Sequence, residues 1–335
     1  MNIPEGWLVL LSAEAVASPT TRQTDLVRRS LIASGHSCEV WPLLDSTSRR
    51  GDREFLANLR TWRKRIKTVR CVDVRGLAAL PYVAALMLGY KRIPKIALSV
   101  EGGPPAKFSL LPRRAMRCVF QVLTTSTHAA VAWKAMFAGP IHVLPPLVRS
   151  LVPPLDDADA LEHPRIVVRA NLDEMEPTRT AIWNFDILKY AFPNLRLQVV
   201  GTGPMRDELA AFALSLGRDD TRVDFLGEPD DLDEVLRRAM AIWVGDPVRP
   251  RPYAVAEALS AGRTVVTWDH PEHRFGTALL ADPADPVGLA KVTHRLLERP
   301  LQLALQSQLV RESLGAIDTS AWVREYLRVV GPPSA

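Results

Sequence analysis

Apolar and polar positions along this chain follow two alternating rhythms. Short aliphatic and β-branched runs predict strands at 6–11, 38–42, 69–74, 95–100, 119–124 and 141–144, because a strand covered on both faces reads as a continuous apolar run. Stretches with helical spacing lie between them, at 21–34, 52–66, 76–89, 108–117 and 127–137. The same order restarts downstream, with strands at 165–169, 195–200, 222–226, 241–245 and 264–268 and helices at 178–191, 204–216, 230–239, 253–261, 286–298 and 301–315. Leu209, Phe212, Ala213 and Leu216, and then Leu232, Val235, Leu236 and Ala239, recur at i, i+3, i+4 and i+7. Each set marks a helix that lays one face on a sheet.

Strands alternating with helices over 335 residues predict an α/β protein of two doubly wound, parallel-sheet, Rossmann-like domains. Pro145, Pro146, Pro153 and Pro154, with Asp156, Asp157 and Asp159, interrupt the rhythm as a linker would. The expected division is an N-terminal domain over 1–150, a Pro- and Asp-rich linker over 151–164, a C-terminal domain over 165–317, and a last helix within 318–335 that packs back across the linker. Parallel sheets bind ligands outside the carboxyl ends of their strands, which predicts a ligand in a cleft between the two domains.

Hydrophobic residues make up 47% and charged residues 24% of the chain, an ordinary globular balance that argues against disorder. Three cysteines, Cys38, Cys71 and Cys118, are too scattered for a disulfide framework, are expected as small buried hydrophobes, and suit a reducing cytoplasm. The apolar run at 7–11 is too short for a signal peptide core, and the run at 77–88 falls short of the roughly 20 residues of a spanning helix.

Charge changes this picture. Residues 1–150 hold 22 Lys and Arg against nine Asp and Glu, whereas the remainder holds 20 against 28. The basic half favours an anionic partner. No nucleic-acid-binding motif accompanies the charge. Residues 55–67 read as a basic helix with Phe55, Leu59, Trp62 and Ile66 on one stripe. That stripe either packs on the sheet or meets an anionic membrane surface, which would place the protein at the inner face of the membrane.

The strongest local motif is the strand–turn–helix over 197–209, which turns at Gly201-Thr202-Gly203-Pro204. Glycines let a turn bring backbone N–H groups close to a phosphate, and Pro204 suits a first helical position. Arg206 stands where a dinucleotide fingerprint needs its third glycine. After the turn come a strand ending in Asp224-Phe225-Leu226-Gly227-Glu228, an acidic helix start at 230–234, the strand 241–245, the helix 253–261 carrying Glu257, and the strand 264–268.

This succession resembles the donor domain of GT-B glycosyltransferases, in particular glycosyltransferase family 4, and the resemblance covers about residues 165–270. The N-terminal half is similar more loosely, through 34–40, 122–126 and 141–145. The resemblance implies that Gly201, Gly203 and Pro204 shape a nucleotide-facing turn, that Phe225, Leu226 and Gly227 lie by the base, and that Glu257, in the helix opened by Tyr253, accepts hydrogen bonds from the donor ribose. A carboxylate can accept from both ribose hydroxyls.

Departures from the family pattern concentrate on charge. The family pairs two glutamates with seven residues between them, and here the first position is Arg249. Pro250 and Pro252 remove N–H donors from the intervening loop. The family's Arg and Lys after the first strand of this domain fall on Arg169 and on Met175 or Glu176. Arg249, Arg251 or Arg179 would take up the diphosphate in place of the Lys, or are surface arginines. In the N-terminal domain, Glu101 before Gly102 and Gly103 is either an acceptor contact or a loop glutamate.

Seven dispersed histidines give no metal set, and His270 and His273 read as exposed loop residues. The chemistry implied is a metal-independent, retaining, hexosyl-type glycosyltransferase for polysaccharide or glycolipid assembly. Glu101 and Arg249 would serve catalysis; Arg169, Arg251, Tyr253 and the residues above would hold the donor. It would need no cofactor beyond a nucleotide-diphosphate sugar as co-substrate, and would take a sugar or lipid-linked acceptor. The alternative is a catalytically inactive relative that binds or scaffolds in the same kind of assembly.

Overall fold

The computed structural model describes residues 8–12, 19–36, 38–42, 59–64, 66, 69, 71–87, 94–104, 116–148, 160, 162–217, 222–246, 249–274, 276–315 and 318–331. The chain forms two compact units, Met1–Leu147 with Asp318–Ala335, and Val148–Ile317. Each carries one six-stranded sheet.

In the second unit the strands are β7 (Arg165–Arg169), β8 (Arg196–Val200), β9 (Val223–Gly227), β10 (Ala241–Val244), β11 (Thr264–Trp268) and β12 (Leu279–Ala281), numbered after the six of the first unit. They lie in the order β12-β11-β10-β7-β8-β9, and every pair is parallel. Side chains alternate across a strand, and here the alternation sorts two apolar clusters. Ile166, Val168, Leu197, Val199, Trp243, Val266 and Trp268 face one side, where they meet Ile182, Phe185, Leu209 and Leu289. Val167, Val200, Ile242, Val244 and Val265 face the other, against Leu232, Leu236, Val255, Ala258 and Leu259. The doubly wound expectation holds, with β12 as one strand the apolar pattern did not announce.

Sheet order also fixes where a ligand can sit. The chain runs from β7 outward through β8 to β9 and then returns to β10 on the other flank of β7. Strand order therefore reverses between β7 and β10, and the loops at their carboxyl ends diverge to leave an opening. Arg169 closes β7, and Asp246 to Arg251 follow β10.

The first unit holds β1 (Leu8–Ser12), β2 (Cys38–Pro42), β3 (Cys71–Arg75), β4 (Lys95–Val100), β5 (Gln121–Thr124) and β6 (Ile141–Val143) in the parallel order β2-β1-β3-β4-β5-β6. Helices α1 (Pro19–Ala33), α2 (Leu80–Met87) and α3 (Thr127–Lys134) accompany it. Val72, Val74, Ile96, Leu98 and Val122 pack with Leu80, Val83 and Trp133 on one face. The opposite face is covered partly by residues from the far end of the chain: Val323, Tyr326, Val329 and Val330 join Val27, Leu31, Cys71, Ala97 and Leu123. Beneath Tyr326 lies a buried polar knot, in which Asp73 accepts from Ser99 Oγ at 2.6 Å, Arg75 Nε at 3.1 Å and Tyr326 Oη at 2.7 Å.

Several expectations change here. Ile66 is in the core, and Leu59 and Trp62 pack against it. A basic helix whose apolar stripe is committed to its own sheet does not offer that stripe to lipid, so the membrane contact of 55–67 loses its basis; Phe55 lies outside the described residues. None of the described helices is long and apolar enough to cross a membrane. Cys71 is buried, its thiol pushed up to about 12 by desolvation, whereas Cys38 and Cys118 are only half-buried. Of the expected linker, only 160 and 162–164 are described, and Ala160 sits in the second unit's core. Most of the helix expected at 108–117 lies outside the described residues.

Candidate functional site

Of the candidate residues singled out from the sequence, Glu101 falls in the first unit and all the others in the second. The centre of the set is Arg169. It ends the buried strand β7, so its side chain begins in the core and reaches outward, 5% exposed. Its Nε donates to Glu257 Oε2 at 2.8 Å, Nη1 donates to Glu228 Oε2 at 3.2 Å and to the Val200 carbonyl at 3.4 Å, and Nη2 donates to Glu228 Oε1 at 3.3 Å. Burial alone would lower the guanidinium pKa, but Glu257 and Glu228 more than offset it and hold the group charged.

Glu257 reaches this point from α7 (Pro252–Ser260). Ala254, Val255, Ala256, Ala258 and Leu259 bury most of that helix, which leaves Glu257 on the flank turned to Arg169. Pro252 occupies the first helical turn, where its missing N–H belongs to the groups no helix satisfies internally. The N–H of Arg251 donates to His273 Nε2 at 2.8 Å, and His273 Nδ1 lies 3.0 Å from the Trp268 carbonyl and 3.1 Å from Thr267 Oγ1. An Nε2 that accepts requires the proton on Nδ1, so the ring is neutral. Burial holds its pKa below the ordinary value, and the His270 charge adds to the effect. His273 is therefore a fully buried clamp on the helix start and not the exposed loop residue expected.

The Gly201–Gly203 turn has a different reason for its glycines from the one expected. Their φ angles are 149° and 157°. A Cβ on Gly201 would stand 2.0 Å from the Ala170 carbonyl oxygen, and one on Gly203 would stand 2.2 Å from the Leu172 carbonyl carbon. The turn is pressed on the backbone that follows β7 and is stitched to it: Leu172 N–H donates to Thr202 O at 3.2 Å, Met205 N–H to Leu172 O at 3.0 Å, and Gly201 N–H to Gly227 O at 2.8 Å. Two N–H donors at the turn, those of Gly201 and Met205, are thus spent on protein carbonyls. Pro204 lies in the turn, and the helix α5 (Arg206–Ser215) begins two residues later.

Leu226 is exposed at a bulge where Val199 pairs with Phe225 and Val200 with Gly227, while Phe225 packs on the core. Tyr253 is buried. Arg249 pairs with Glu174, the residue before α4 (Met175–Ala191), and its N–H donates to Asp246 at 2.8 Å. Arg251 lies 4.0 Å from Asp246. Arg179 is taken up by Glu176 at 3.0 Å and by the Phe212 ring at 5.0 Å, outside the group joined to Glu257. In the first unit, Glu101 follows β4 in a loop pinned by Thr125 Oγ1 on the Glu101 carbonyl and Trp133 Nε1 on the Gly102 carbonyl. Among the described residues no cluster of three or more His, Cys, Asp or Glu could hold a metal ion.

Glu228, Glu174 and Asp246 were not singled out as site residues from the sequence, and His273 was read there only as an exposed loop residue. A signal for one existed: a cation at Arg249 calls for an anionic neighbour, and Glu174 supplies it.

Residues 163–299 match the family described as Glycosyl transferases group 1. Among curated proteins, none matches the chain by sequence. The structure is similar to that of HepE from Anabaena in complex with UDP and glucose, with a TM-score of 0.70 and 14% identity over 97% of this chain and 99% of that one. It is also similar to sucrose-phosphate synthase from Thermosynechococcus elongatus, with a TM-score of 0.67 and 15% identity over 96% and 98%. A third similar structure is the E. coli trehalose-6-phosphate protein bound with UDP-2-fluoro glucose, with a TM-score of 0.68 and 14% identity over 96% and 98%. The fold is thus that of the GT-B glycosyltransferases over nearly the full length, and the second unit is similar to the glycosyl transferases group 1 family over residues 163–299.

Proposed function

We propose that the protein transfers a hexosyl group from a nucleotide-diphosphate sugar to a hydroxyl of a sugar or lipid-linked acceptor, with retention of configuration. The observation that supports this most is Glu257, fixed by Arg169 beside the point where strand order reverses in a unit that matches glycosyl transferases group 1. In this reading Glu257 accepts from the donor ribose, and Arg249 or Arg251 meets the diphosphate. Such chemistry depends chiefly on stabilising the departing diphosphate. The test is a panel of UDP-, ADP- and GDP-sugars with and without simple sugar acceptors, scored by released nucleoside diphosphate. Release with at least one pair is expected.

One observation favours a second reading, that of an inactive binding or scaffold subunit. Each arginine of the site already faces a carboxylate: Arg169 faces Glu257 and Glu228, Arg249 faces Glu174, and Arg251 faces Asp246. Three cations against four carboxylates leave no surplus positive charge for a diphosphate. A ligand that binds the folded state must raise its melting temperature. If no nucleoside diphosphate or nucleotide-sugar does so at millimolar concentration, the enzyme reading is refuted and the scaffold reading stands.

A further inference from the structure

The loop that enters α7 carries a more specific reading of how the site is held, one that rests on the nucleotide-sugar proposal. Pro250 and Pro252 have no N–H. The N–H of Arg249 is given to Asp246 at 2.8 Å, and that of Arg251 to His273 Nε2 at 2.8 Å. Backbone donors from 249 to 252 are therefore committed within the protein, and what this loop offers an anionic ligand is guanidinium. The Arg251 side chain is 30% exposed, and its aim depends on where its own backbone is fixed.

That fixing comes from one ring. His273 is wholly buried and both its nitrogens are engaged. Nε2 takes the Arg251 N–H, while Nδ1 lies 3.0 Å from the Trp268 carbonyl and 3.1 Å from Thr267 Oγ1 at the end of β11. The ring thus ties the loop to a central strand, and Glu257 is carried by the helix that begins at the tie. Only the neutral ring can do this. A second proton would have to go on Nε2, which would set a donor against a donor and break the contact with Arg251.

The charges around the ring pull both ways. Asp246, after β10, and Asp269, after β11, favour the protonated form, whereas His270 on the same loop opposes it, and burial outweighs them all in keeping the ring neutral. Glu272 and Arg274 flank it in the chain, Arg274 turned to Asp269 at 2.7 Å. On the side of α7, Arg251 lies 4.0 Å from Asp246, Tyr253 is buried and Glu257 is turned to Arg169.

We infer that His273 is a positioning residue of the donor site: its neutral ring holds Arg251 and the start of α7 where a nucleotide-sugar needs them, and its protonation frees them. Donor affinity is then highest with the ring neutral and falls on acidification.

Two measurements on the full chain test this. The first needs no ligand. NMR of the His273 ring nitrogens should show Nε2 bare and Nδ1 protonated at pH about 7. The Arg251 amide should lose its protection from exchange, relative to its intrinsic rate, as the ring titrates between pH about 7 and about 5. A proton on Nε2 at neutral pH, or amide protection that does not follow the ring, overturns the tie.

The second is calorimetry with UDP-, ADP- and GDP-glucose, whose diphosphate is esterified at both ends and keeps its charge over this range. Wild type should bind at least one of them about threefold to tenfold more weakly at pH about 5 than at about 7, the scale of one neutral hydrogen bond. His273→Gln, whose amide oxygen can accept from Arg251 but takes up no proton, should bind at both pH values as wild type does at the higher one. His273→Ala should bind weakly at both. A glutamine variant that keeps the wild-type pH dependence, or a wild type that shows none, overturns the positioning role and leaves the proposed function intact. Absence of binding by wild type at either pH refutes that function and takes the donor-site role with it, while the ring and amide signals still decide whether the tie exists.

Discussion

Arg169→Met and Arg249→Met remove the same charge from the same unit, yet their consequences for the fold should differ severalfold. Arg169 is enclosed, and its removal leaves Glu257 and Glu228 facing each other without their shared counter-ion. Breaking a buried ion pair by deleting one partner costs about 3–5 kcal/mol, because the remaining charge is stranded. Arg249 is 62% and Glu174 49% exposed. Water screens that pair, so its loss is worth about 0–1 kcal/mol. For a unit of this size each kcal/mol moves the melting temperature by about 2–4 °C, so Arg169→Met should melt roughly 6–20 °C lower and Arg249→Met within about 4 °C of wild type. Calorimetric melting gives the shifts, and hydrogen exchange on the amides of β7, β8 and β10 confirms that the weakened unit is the second. Should the two variants melt within about 1 kcal/mol of each other, Arg169 is not the buried anchor that its geometry describes.

Other perturbations probe separate features. Gly201→Ala puts a Cβ 2.0 Å from the Ala170 carbonyl oxygen. It should cost more than about 1 kcal/mol in urea unfolding and weaken nucleotide binding by displacing the backbone after Arg169. Tyr326→Phe removes the hydroxyl that donates to buried Asp73 at 2.7 Å. It should destabilise the first unit by about 1.5–3 kcal/mol, and an unchanged melting temperature would show that Asp73 does not need it. His273 has a folded-state pKa below its ordinary 6.5. Its contribution is therefore complete above that value and is lost as pH falls through 6.5 toward the folded-state value, because only the unfolded chain takes up the proton there. Wild type should lose stability on acidification from pH about 7 to about 5, and His273→Asn should show a shallower slope; equal slopes would remove His273 as the cause. Asp269, held below its ordinary 3.8 chiefly by its bond from Arg274, titrates in a lower range and does not blur the comparison.

Strands were legible in the sequence where runs such as Ile166–Val168 and Val265–Val266 had to be apolar on both faces. β12 escaped because its residues Leu279–Ala281 extend the motif-bearing region by only three positions at a sheet edge. The turn at Gly201 was visible as a glycine pair, but its cause was not, since the Ala170 carbonyl that would stand 2.0 Å from a Cβ there belongs to a segment some 30 residues away in the chain. Glu257 was found by its place in a motif. Its partner Arg169 lies 88 residues away, and only the sheet order that sets β7 beside β10 shows that the two join. His273 looked exposed because proline and charge surround it in sequence; the fold turns it inward to serve the amide of Arg251.

One consequence of the helix α10 (Thr319–Val330) concerns the order in which the molecule can be made. The second unit, Val148–Ile317, interrupts the first, whose apolar face over Cys71, Ala97 and Leu123 is completed by Val323, Tyr326, Val329 and Val330. During synthesis the second unit has all its residues before the first does. Domains fold as units while the chain lengthens, so the half made first must wait with one sheet face only partly covered until the residues through Val330 are added. A nascent chain arrested near residue 317 should carry a protease-resistant second unit and a protease-sensitive first one. Fragments ending at 150 should likewise aggregate unless the 319–330 helix is supplied as a separate peptide.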